Sequence, residues 1–179
     1  MNLAGAILAL LLAYPRHAED AAEPALARVG RLADHADSIA LVSLAATCQG
    51  PWRDTECRRR WRGSPVSLAA LLARTAYEET GLSARIHRGE CRPGECDGGA
   101  ARGPLWERID ASPEGTLAGA WAATLIYSGA AWYCRDSEDW RAGAVSAYAT
   151  GSSCAWSGAP DRVDGWRRAE RYLRRCWAG

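Results

Sequence analysis

The sequence predicts a mainly α-helical single domain whose loops are closed by disulfides. Apolar residues recur at helical spacing in several stretches bounded by capping residues, and no stretch alternates as a half-buried strand would. Seven cysteines, at 48, 57, 91, 96, 134, 154 and 176, are more than a reducing compartment usually sustains. A length of 179 residues suits one core rather than two.

The chain opens on "MNLAGAILALLLAYPRHAED", whose apolar run from Leu3 to Ala13 is too short to cross a bilayer. Residues 1–20 are therefore expected to be an export leader, atypical in lacking a basic start and a clean small-x-small site, with the domain over 21–179. The other reading of the same run is a buried or interfacial first helix. Ala25 to Thr47 has Pro24 near its first turn and Leu26, Val29, Ala33, Ala36 and Ala40 at helical spacing, with an apolar, central second half. Arg53 to Arg62 is a loop carrying the most basic cluster, read as a solvated face. Ser64 and Pro65 then signal a helix start and Gly81 its stop, giving a helix over 65–80. A long irregular stretch, 83–104, has the length of a functional loop. Helices follow over Leu117 to Tyr133, Trp140 to Thr150, and Asp164 to Trp177, the last Arg-rich and amphipathic; His35 is expected on a helix surface.

Every one of the 22 basic side chains is arginine and 21 side chains are acidic, for a formal charge of +1. That balance, with no recognisable binding motif, argues against a nucleic-acid partner. The cysteines are expected to pair as Cys48/Cys57, Cys91/Cys96 and Cys134/Cys154, leaving Cys176 unpaired in a monomer, although spacing alone does not fix connectivity. His87 with Cys91 and Cys96 matches no compact zinc spacing, so no metal or cofactor is expected.

Two adjacent glutamates end the 65–80 helix. The apolar face through Leu68, Leu71, Leu72, Thr75 and Ala76 extends onto Glu79, while Glu78 is rotated by about 100° toward Leu71 and Arg74. A carboxyl at the end of a buried stripe loses solvation, and the helix C-terminus disfavours its charge, so it suits a proton donor near neutral pH. The plainer reading is an acidic residue at a helix end.

With "ETGL" from Glu79 to Leu82, "ARGPLWERI" from Ala101 to Ile109 and "AYATG" from Ala147 to Gly151 in order, the sequence resembles the lysozyme-like superfamily, specifically soluble lytic transglycosylases and goose-type lysozymes. The resemblance spans roughly residues 64–175. It implies a helical lysozyme-like domain, exported to the periplasm or cell exterior, that cleaves the β-1,4 bond between N-acetylmuramic acid and N-acetylglucosamine in peptidoglycan. Glu79 would be the general acid, with Tyr148, Glu107 and Trp106 lining the substrate cleft and Asp97 the candidate to position water. In the transglycosylases one glutamate acts as acid and then base, and the product is a 1,6-anhydro sugar. The chain departs from the pattern at Pro104, at Glu107 in place of Gln, and at Ala149 in place of Asn. These departures leave open a non-catalytic relative that binds glycan or protein through the same groove.

Overall fold

A computed structural model describes residues 1–16, 18–53, 57–87, 90 and 113–177, the side chains of 113–116 excepted. Its helices are α1 (Leu3–Ala13), α2 (Ala25–Ala46), α3 (Pro65–Thr80), α4 (Ala84–His87), α5 (Pro113–Tyr133), α6 (Trp140–Thr150) and α7 (Pro160–Cys176). Short 3-10 turns occupy Ala18–Asp20, Gly50–Trp52 and Trp156–Gly158, and the described residues contain no strand.

α3 sits at the centre. Its side chains from Val66 to Ala73 are all buried, and it packs against α1, α2, α5 and α7. The local signals for its ends take effect as the sequence implies. The Ser64 hydroxyl accepts from the Ser67 amide, and Pro65 starts the helix. Gly81 ends it at φ 62° with its N–H donating to the Tyr77 carbonyl. That left-handed conformation crowds a Cβ, so Gly81→Ala should cost about 1–2 kcal/mol in denaturant unfolding.

α2 packs on α1 and α5, and α7 on α3, α1 and α6. In α2 the buried stripe begins at Leu32 and continues through Ala36, Ile39 and Val42. The expected positions Leu26 and Val29 are instead exposed, Leu26 by 86 %. Periodicity located the face but not how far the core reaches along it. His35, expected on the surface, is buried and its ring lies 5.7 Å from that of His87. α1 contributes Leu3, Ala6, Ile7, Leu10 and Leu11 to the core. Burying those side chains is what an 11-residue helix too short for a bilayer can do with an apolar surface.

Cys48 pairs with Cys57 and Cys134 with Cys154. Cys176 is free and half-buried. The first disulfide ends at Cys57, and just after it Arg59 folds back to donate to the Trp61 and Gly63 carbonyls. Trp61 is fully buried, edge to face with Trp140 at 5.1 Å. The middle arginine of the basic run thus shapes its own loop. No described helix is long and apolar enough to cross a membrane.

Candidate active site

The site is built on the last turn of α3. Thr80 donates to the Ala76 carbonyl and accepts from the Leu82 amide, which ties the helix end to the turn that follows. Two residues from much earlier in the chain then pin that turn. Arg31 of α2 donates to the Leu82 carbonyl at 2.6 Å while forking onto both carboxylate oxygens of Glu23, at 2.9 and 2.8 Å. The Asp20 carboxylate accepts from the Ala84 amide at 2.9 Å. Buried backbone groups after a helix end need partners, and here side chains supply them.

Glu78 and Glu79 both face Arg162 of α7. Its Nη1 lies 2.6 Å from Glu79 Oε1 and its Nε 3.5 Å from Glu78 Oε2. Glu78 also holds Arg74, one turn earlier, at 2.5 Å. The side chain of Glu79 is 15 % exposed and that of Glu78 13 %. Burial pushes the Glu78 carboxyl up from its ordinary range and the nearby Glu79 adds to the rise, while Arg74 and Arg162 oppose it. Burial works against the Arg162 charge, yet its hydrogen bond to Glu79 and the two carboxylates outweigh this and hold it above its usual value. Arg74 reaches its place because Gly165 has no side chain: a Cβ there would lie 2.5 Å from Arg74 Nε.

Aromatic hydroxyls close the other side. Tyr148 of α6, from the third motif, is buried and stacks on Tyr127 of α5 with ring centroids 4.5 Å apart. The Tyr127 hydroxyl shares a 2.8 Å hydrogen bond with Thr75 of α3. Burial, reinforced by Tyr148, raises the Tyr127 phenol well above its ordinary value, and it interacts electrostatically with Glu78 and Arg162. The cluster therefore joins four helices around two carboxyls, one shared guanidinium and two stacked phenols. A protonated carboxyl in such a setting can donate a proton, and the guanidinium can hold the carboxylate once the proton has left.

Of the residues singled out from the sequence, Glu79 and Tyr148 come into this one cluster. Asp97, Trp106 and Glu107, with Cys91 and Cys96, lie outside the described residues. Trp156 stands 58 % exposed on the rim of a hollow of about 690 Å³ that also presents Glu138, Asp139, Arg141 and Arg167. Among the described residues no group of three or more His, Cys, Asp or Glu side chains could hold a metal. Arg162, Arg31, Asp20, Tyr127 and Thr75 carried no motif and were not anticipated. Only Thr75 had a signal, as a polar residue inside an apolar helical face. The chain matches no protein-family model, no curated protein and no solved structure at a significant level.

Proposed function

We propose that the protein cleaves the β-1,4 linkage between N-acetylmuramic acid and N-acetylglucosamine in peptidoglycan, outside the cytoplasm, with Glu79 as the proton donor. The supporting observation is an indirect link between the first and third motif segments: Glu79 pairs with Arg162, Arg162 interacts electrostatically with Tyr127, and Tyr127 stacks on Tyr148. In this reading Glu79 protonates the glycosidic oxygen as the C1–O bond breaks. The resulting carboxylate then takes a proton from the attacking oxygen, either water or the 6-hydroxyl of the muramic residue. The second route gives a 1,6-anhydro end. Arg162 has to leave Glu79 Oε1 before the acid can reach substrate. Glu78, already 3.5 Å from the same guanidinium, keeps the released charge paired within the protein. The two disulfides fit an oxidising compartment.

Glu79→Gln, folded as judged by an unchanged thermal midpoint, should lose turnover of purified peptidoglycan by at least about 10²-fold. Mass spectrometry of the wild-type products separates a reducing end from an anhydro end. One observation favours a second reading, a glycan-binding relative without turnover: Arg162 already occupies the Glu79 carboxylate at 2.6 Å. Co-sedimentation with peptidoglycan but no released product from the wild type, across several wall types and pH values, would decide for that reading.

A further inference from the structure

A hollow of about 320 Å³ lies between α1 and α7. Leu10, Tyr14, Gly165 and Ala169 give it an apolar floor. Four guanidinium-bearing side chains, Arg74, Arg168, Arg171 and Arg175, line it, and no acidic side chain does. Arg168, Arg171 and Arg175 recur at helical spacing on α7, are exposed, and make no ion pair among the described residues. The acidic residues of α7 are placed elsewhere: Asp161 and Asp164 lie toward its start, and Glu170 is taken by Arg174 at 2.6 Å.

A second observation marks the same hollow. The Tyr14 hydroxyl is buried and, although the Arg74 guanidinium is close, makes no hydrogen bond of normal geometry. Burial pushes this phenol up to about 12, so it remains a neutral donor at any physiological pH. Its ring is fixed by stacking on Tyr77 at 4.5 Å and by Arg74 above it. A buried donor lacking an acceptor, beside three arginines of α7 that lack an anion and above an apolar floor, is complementary to an amphiphilic anion.

We infer that this hollow binds the phosphate headgroup of an anionic phospholipid, placing the α1/α7 face of the protein on an acidic membrane surface. The phosphate takes the Tyr14 hydroxyl and the arginines of α7, and the glycerol and first acyl carbons cover Leu10 and Ala169. The inference does not rest on the proposed cleavage reaction.

The test is co-sedimentation with vesicles of phosphatidylcholine, alone or mixed with phosphatidylglycerol. The wild type should bind only the mixed vesicles, and less as salt rises. Each arginine near such a surface contributes about five-fold, so Arg168→Ala/Arg171→Ala/Arg175→Ala should weaken binding roughly 100-fold. A control with the same charge change, Arg58→Ala/Arg60→Ala/Arg62→Ala, should bind nearly as the wild type does. Tyr14→Phe keeps the stack and removes only the hydroxyl that lacks a partner. It should fold at least as stably and bind about ten-fold more weakly. Equal losses in the two arginine triples, or undiminished binding by Tyr14→Phe, would overturn the hollow as the site. Full displacement from vesicles by inorganic phosphate at matched ionic strength would assign it to a soluble anion instead.

Discussion

Arg31→Met should destabilise the protein by about 3 kcal/mol in chemical denaturation, the lower end for breaking a covered ion pair by removing one partner. The side chains of Arg31 and Glu23 are 7 % and 9 % exposed. They lie shallowly beneath the surface, which is why the lower end applies. The substitution keeps most of the aliphatic bulk and leaves a carboxylate without its counter-ion and the Leu82 carbonyl without its donor. The Arg31 hydrogen bond holds the Glu23 carboxyl below its usual range, so its contribution is present above that range and lost as pH falls. Arg31→Met/Glu23→Leu should recover a large part of the loss, since no buried charge then remains. If the double variant were as unstable as the single one, the pair would not be the cause. Because Arg31 also fixes the turn after Glu79, the single variant should lose the proposed peptidoglycan cleavage even under conditions where it stays folded.

Acid should weaken the fold steeply through His35. Burial, with smaller effects from His87 and Arg31, lowers this imidazole from 6.5 to about 3. The unfolded chain therefore takes up the proton first. Stability from this residue is complete above pH 6.5, erodes as pH falls below it, and is fully lost only below about 3. The slope approaches about 1.4 kcal/mol per pH unit within that window. Urea midpoints measured from neutral pH downward should show this slope for the wild type. His35→Gln should be less stable at neutral pH but visibly shallower in acid. Parallel curves would mean that other groups, Glu23 among them, dominate acid unfolding.

What the sequence disclosed follows from the range of the interactions. The ends of α3 were legible because Ser64, Pro65 and Gly81 act on their immediate neighbours, and α6 was bounded correctly from Trp140 to Thr150. Two helices start four residues earlier than the apolar pattern suggested, at Pro113 and Pro160. The first-turn proline read correctly at Pro65 was the overlooked signal in both. The apolar run of α1 was compatible with a leader or a core helix because an all-round apolar surface contains no directional information. For the site, adjacency made Arg74 a candidate partner of Glu78, and the structure has that pair. Arg162 and Arg31 meet their partners across sequence separations of 83 and 51 residues, which no local pattern encodes.

The order of these partners along the chain has a consequence for biosynthesis. Asp20, Glu23 and Arg31 precede the α3 end, so a nascent chain already contains the groups that pin the turn when residues 79–84 emerge. Arg162 follows only with α7, so until that helix is made Glu78 is paired with Arg74 and Glu79 lacks the guanidinium that it holds in the folded protein. A chain stalled before residue 160 would hold this corner open and hydrated. Arrival of α7 would then complete the core and neutralise the glutamates in a single docking event.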